Sequence, residues 1–287
     1  MTALEKLVTA TLDTPVPPEI SAMSDHLRAR LTGVAAILAY GSALRGVAAA
    51  DTLIDLFVLV ESDADVSKSP LHRLATKLVP PDVRYAECAF EGATLRCKYA
   101  LIPLVDFAGR MQGTVANPYF WARFAQPSRL VWAMPGIKPA VIAAVAAAVE
   151  TMYAASLSAA PNENDPLLRW QRGFEQTYRT ELRPEGSARA KEIVAANADF
   201  YRQAASLLVG TPAMRISWAS ARAGGKLLSL LRLGKAAFTF EGGADYAAWK
   251  IERHTGKKII VSDWQRRHPL LGGILMLPGL LRSRSLR

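Results

Sequence analysis

Hydrophobic positions fall into two patterns along the chain. Short, nearly continuous apolar runs dominate its first part, and longer segments with helical spacing follow. Residues 34–40, Val-Ala-Ala-Ile-Leu-Ala-Tyr, end at Gly41-Ser42 and read as a buried strand followed by a turn. Residues 53–60 form a second such run, interrupted by one carboxylate, Asp55. Residues 83–90 and 94–102 are two further strands, joined by Glu91-Gly92-Ala93 as a hairpin turn. Helical spacing covers 66–79. Pro15, Pro17 and Pro18 mark the first 20 residues as a lead-in loop, after which Ser21 caps a helix to about Leu31.

From Leu104 onward the period is helical. A short helix over 117–126 stops at Pro127, an Ala-rich one covers 138–158, and 165–182 and 187–209 complete the set. These elements predict an α+β protein. A mixed-sheet head of four strands occupies 1–135, a mostly helical domain 136–212, and a basic C-terminal segment 213–287.

Composition narrows the class. With 51% hydrophobic and 21% charged residues, the 287-residue chain has the apolar content for a core and too little charge for disorder. Two cysteines, Cys88 and Cys97, read as free thiols rather than a disulfide framework, and the four histidines lack metal-ligand spacing. No stretch has the roughly 20 uninterrupted apolar residues of a membrane span. The start of the chain shows neither an Arg-rich transit pattern nor an apolar signal core. Charge is distributed unevenly: residues 213–287 hold 14 Lys+Arg against 4 Asp+Glu, whereas 1–212 hold 21 of each. The net charge of +10 therefore sits in the last 75 residues and predicts an anionic partner there, membrane or nucleic acid.

The sharpest candidate chemistry lies at the first two strands. A glycine after a strand lets backbone approach phosphate oxygens, and the Ser42 hydroxyl adds a donor. Asp55 on the neighbouring strand is placed to hold Mg²⁺ against the same polyphosphate. That is the minimum for nucleotidyl transfer. The usual pattern has carboxylates at i and i+2, and here i+2 is Phe57. Glu61, at i+6 and of the same strand parity, is the candidate second metal ligand or a solvated strand-end acid; Asp51 is another candidate or a turn acid. Asp55 itself has a structural alternative, a carboxylate paired with a nearby Lys or Arg.

Tyr40-Gly41-Ser42 followed by the run with Asp55 resembles the start of the mitochondrial-type phosphatidate cytidylyltransferases, the translocator assembly and maintenance family. In the same order, Leu95-Arg96-Cys97-Lys98-Tyr99-Ala100-Leu101-Ile102 is similar to the family's Lys-Tyr-Gly-Val-Ile strand. Asn117 to Pro127, with Tyr119 and Arg123, resembles its Tyr-x-Ala-Gly-Arg-Leu-x-Lys-Pro segment, and Arg215 to Lys226 its C-terminal Arg/Ser/Lys/Gly stretch. The sequence departs from the family at Ala43, Leu44, Ala100 and Ala122, where the family has glycines or a glycine-rich continuation.

The resemblance implies a nucleotidyltransferase-like head, a helical middle domain and a membrane-docking C-terminus. It implies a Mg²⁺-dependent reaction of CTP with phosphatidate to give CDP-diacylglycerol and diphosphate. Gly41 and Ser42 would face the CTP phosphates, Asp55 would bind the metal, Lys98 would reach phosphate, and Arg123 would sit in the same cleft. Tyr99 and Lys226 join the binding residues, Lys226 as a lipid-phosphate ligand or part of a basic face. Lys98 and Arg123 have plainer alternatives, a solvated strand lysine and a helix arginine paired with an acid.

Phosphatidate already carries an ionised phosphate oxygen, so no strong general base is required. Trp264, Arg266 and Arg267, the apolar run 270–281, and Arg282, Arg284 and Arg287 read as a segment lying in the headgroup region of an anionic membrane surface. Packing on the protein's own core or a homo-oligomer contact is its alternative. The expected setting is the cytoplasmic face of a cell inner membrane, with no nucleic acid partner. Two rivals stand beside this reading: a nucleotidyltransferase with a soluble or RNA acceptor, and a non-catalytic lipid-binding scaffold that kept the fold.

Overall fold

Five strands, β1 (Val34–Tyr40), β2 (Ile54–Val60), β3 (Asp82–Phe90), β4 (Ala93–Pro103) and β5 (Arg129–Ala133), make one mixed open sheet of order β3-β4-β2-β1-β5 in the computed structural model. The structure describes residues 1–45, 53–113, 117–182, 187–239, 244–245, 248–249, 261–262 and 264. Of the neighbouring pairs, β2 and β4 run parallel and the others antiparallel. Around the sheet lie α1 (Ala3–Leu12), α2 (Pro18–Arg30), α3 (Asp63–Val66), α4 (Pro70–Leu78), α5 (Leu104–Arg110), α6 (Trp121–Phe124), α7 (Lys138–Ala159), α8 (Pro166–Tyr178), α9 (Ser187–Ala196), α10 (Ala198–Leu207) and α11 (Trp218–Thr239). The class is α+β.

Strand parity divides the sheet's two faces. Leu38, Phe57, Leu59, Ala100 and Ile102 point into one core with the apolar sides of α1, α5, α6, α7, α8 and α10. Ile37, Ala39, Leu56, Val58 and Leu101 point into a second core closed by α2 and α3. The central strands are covered on both faces, which is why they read as continuous apolar runs rather than alternating ones. Asp55 belongs by parity to the first face, the one that carries the helices.

Helix α7 is long and apolar enough to cross a bilayer, and 67% of its most apolar window is buried inside the fold. Val141, Val145, Val149 and Met152 lie in the first core, so its hydrophobicity on nearly all sides is that of a central core helix.

Several expectations are corrected. The first 20 residues are not a loop: α1 starts on a capping box in which the Thr2 hydroxyl accepts from the Glu5 amide and the Glu5 carboxylate accepts from the Thr2 amide. Helix α2 starts at Pro18, ahead of Ser21, because proline is well placed in a first turn where its missing N–H is not needed. A fifth strand, β5, pairs with β1 where the pattern predicted only helix. Residues 187–209 form two helices that break at Asn197. Much of the basic C-terminal segment's first part is helical: α11 runs through Gly224-Gly225 and Gly234. The apolar run 270–281 and its flanking arginines lie outside the described residues.

Candidate active site

Asp55 sits near the start of β2, opposite Tyr40 of β1 and in parallel register with Lys98 of β4. The Lys98 ammonium Nζ lies 3.2 Å from Asp55 Oδ1. That oxygen is nonetheless shut from solvent and accepts no hydrogen bond. The pair is thus held by charge rather than by an aligned N–H···O bond, and one buried acceptor of a half-buried carboxylate is left to be filled. Lysine and aspartate here are the ion pair that the structural alternative anticipated, and they also line up with a cation-binding carboxylate.

Gly41 closes β1 with φ +84°, a conformation that side chains disfavour. A Cβ placed there would stand 3.3 Å from Asp55 Oδ2. The glycine therefore serves both the turn and the close approach of backbone to the carboxylate. Ser42 opens a 3-10 turn, Ser42–Arg45, directly after it. Asp51 lies outside the described residues.

Arg123 on α6 brings its guanidinium within 5.0 Å of the ring centroids of both Tyr40 and Tyr119. Its Nε is buried with no hydrogen-bond acceptor. Burial works against its charge, but Tyr119, Tyr40, Glu181 and Asp55 around it outweigh that and hold its pKa above the ordinary value. A second arginine, Arg232 of α11, lies 3.8 Å from the Tyr119 ring centroid.

Tyr40, Gly41, Asp55, Tyr119 and Arg123 line a cavity of about 230 Å³ whose other wall is Tyr178, Glu181, Arg189 and Asn197. The first set comes from the sheet and α6, the second from the end of α8, α9 and the α9–α10 break. The cleft thus lies between the sheet and the helices that follow it. Nothing in local spacing marks the second wall, because it reaches Asp55 only through the tertiary packing of α8 and α9 on the sheet. Glu181 matters most among these, as a second carboxylate in the cleft.

The remaining expected site residues lie elsewhere. Tyr99 is next to Lys98 in β4 and so projects from the opposite face, into the second core, where it borders a different cavity with His26, Arg30 and Arg84. It is not a cleft residue. Glu61 has the parity of Asp55 but follows the far end of β2, exposed, its amide donating to Gly33 O. Six residues at about 3.3 Å each separate the two carboxylates by roughly 20 Å, so they do not share a metal ion. Lys226 is exposed on α11 and does not line the cavity. The i+2 position, Phe57, is fully buried among Tyr40, Phe107, Phe120 and Phe124.

No protein-family model and no curated protein matches the chain. Among the described residues no group of three or more His, Cys, Asp and Glu side chains is clustered for a metal ion. Asp55 still fits Mg²⁺, an ion held by one or two carboxylates together with substrate phosphates and water. Its unfilled Oδ1 and the neighbouring cations suit a metal–polyphosphate pair better than a bare all-protein metal site.

Proposed function

We propose that this chain is a Mg²⁺-dependent nucleotidyltransferase that converts CTP and phosphatidate to CDP-diacylglycerol and diphosphate at an anionic membrane surface. The observation that carries the transferase part is the convergence of Gly41, Asp55 and Arg123 on one cleft, with Lys98 paired to Asp55. The choice of CTP and phosphatidate rests on the sequence resemblance, and so does the setting at the inner face of a cell inner membrane.

In this reading an ionised phosphatidate oxygen attacks the α-phosphorus of CTP. The new P–O bond forms as the bond from the α-phosphorus to the bridging oxygen breaks, and diphosphate leaves with the electron pair. The obstacle is repulsion between two polyanions, so fixed positive charge is the main requirement. Arg123, half-buried and always charged, and Lys98 supply it, while the Gly41 turn admits the polyphosphate next to Asp55. Mg²⁺ on Asp55 would neutralise phosphate charge. Phe57 in place of a second carboxylate favours a second reading, a lipid-binding scaffold without turnover.

Labelled CTP with phosphatidate liposomes and Mg²⁺ tests the first reading. The expected result is CDP-diacylglycerol from the wild type and loss of product, by about a thousandfold or more, in Asp55→Asn. No product with any nucleoside triphosphate or divalent metal, with liposome binding intact, would overturn it in favour of the scaffold.

A further inference from the structure

Helix α4 wears its apolar stripe on the outside. Leu71, Leu74 and Leu78 are 76%, 54% and 68% exposed, and of its residues only Thr76 is fully buried. A surface helix of a globular domain normally turns such a stripe inward. Helix α11 does the same with Leu227, Leu230 and Leu231, all exposed at i, i+3 and i+4 spacing. Leu71 and Ala75 meet Leu230 and Leu231 across an open groove of about 590 Å³, which also contains His72 and Lys235.

The two helices are fastened in this relation. Arg232 Nε donates to Pro80 O at 2.9 Å and Lys235 Nζ to Pro81 O at 2.6 Å, tying α11 to the segment that leaves α4. On the inner side of α11, Gly225 packs so closely that a Cβ would come within 2.5 Å of Thr180 O. The outward leucines are therefore a fixed face and not the accident of a loose helix.

We propose that α4 and α11 together form a docking face for an anionic phospholipid bilayer. The inference rests on the membrane-surface part of the reading above and not on the transfer chemistry. Charge selects the occupant. Arg73, Lys77 and Lys226 lie on these helices, Lys235 borders the groove while Arg222 and Arg232 turn inward, and neither helix contains an Asp or Glu. The chain's own segment 265–287 carries five arginines and no acid, so it repels this face, as does a second copy of the same face. Leucines flanked by Lys and Arg are what an anionic leaflet accepts: apolar side chains enter the acyl boundary and the cations meet lipid phosphates. Docking here also sets the bilayer against the helix whose Arg232 covers Tyr119 at the cleft. Lys226 takes a place on this face as a lipid-facing cation.

Co-sedimentation of the full chain with phosphatidylcholine vesicles, with and without phosphatidylglycerol, tests the proposal. The wild type is expected to bind the anionic vesicles only. Leu71→Ser/Leu74→Ser/Leu78→Ser and Leu227→Ser/Leu230→Ser are each expected to weaken that binding by about tenfold or more with unchanged melting temperature. Binding equal to wild type in both variants would overturn the proposal and move docking to the segment 265–287. A wild type that dimerises, with the variants monomeric and vesicle binding unaffected, would overturn it in favour of a second copy. Metal-dependent CTP binding without vesicles is measured alongside, so that failure of the transferase reading is seen separately.

Discussion

Lys98 and Asp55 hold the same register position on adjacent parallel strands, and the ammonium stands 3.2 Å from a carboxylate oxygen that accepts no hydrogen bond. Lysine is therefore a cation in ion-pair contact with the proposed metal ligand and would compete with a metal for it. Lys98→Met is expected to lower turnover about 10- to 100-fold, because one cation opposing the polyphosphate is gone. It should at the same time lower the Mg²⁺ concentration needed for half-maximal CTP binding. A Mg²⁺ titration of binding, separate from turnover, checks this. An unchanged or raised Mg²⁺ requirement means that Lys98 does not share Asp55 with the metal.

Gly41 permits no ordinary replacement. Alanine meets a strained backbone at φ +84° and places a methyl 3.3 Å from Asp55 Oδ2. Gly41→Ala is expected to cost about 1–2 kcal/mol of stability. It should also cut CTP binding by more than that loss explains, since the carboxylate must shift. Denaturant unfolding beside a CTP titration separates the two effects. Near-normal binding in a destabilised protein would leave Gly41 with a turn role alone.

Arg123 lies within 5.0 Å of two tyrosine rings, a relation that depends on a flat guanidinium. Arg123→Lys keeps the charge and loses the planar contacts and the fork of donors. The expected loss in turnover is at least tenfold for lysine and larger for methionine. If lysine restores full turnover, charge alone is what Arg123 supplies.

The hydrophobic pattern located what depends on local period. β1, β2 and the β3–β4 hairpin emerged from apolar runs, and Asp55 stood out because a carboxylate inside such a run demands a partner. Parity put Glu61 on the strand face of Asp55, yet parity carries no information about distance along the strand, and so it promoted Glu61. Motif similarity carried Tyr99 along with Lys98, although adjacent strand residues project to opposite faces. β5 was hidden because Arg129–Ala133 is a short strand between Pro127 and a helix, and its role depends on pairing with β1. α1 was legible in its Thr2-x-x-Glu5 box, a signal outweighed by the nearby prolines. Tyr178, Glu181, Arg189 and Asn197 had no local signal, since packing of the helices on the sheet brings them to the cleft.

Lys235 gives the fold a pH dependence of its own. Burial, opposed by Asp82 and reinforced by Arg232, lowers its pKa to about 8, below the ordinary lysine value of 10.5. Below about 8 it is charged in both folded and unfolded chains, and its charge is held at a cost. Between 8 and 10.5 the folded protein gives up the proton that the unfolded chain keeps, so this residue's contribution to stability rises with pH across that window and is lost as pH falls back through 8. Tyr85 and Tyr201, whose phenols burial pushes up, act in the opposite direction at high pH. The comparison must therefore be wild type against Lys235→Met, with melting temperature followed from pH 7 to 10.5. The expected outcome is a wild type that gains stability relative to the variant as pH rises. A constant difference between the two across the range would show that Lys235 keeps its proton in the folded protein.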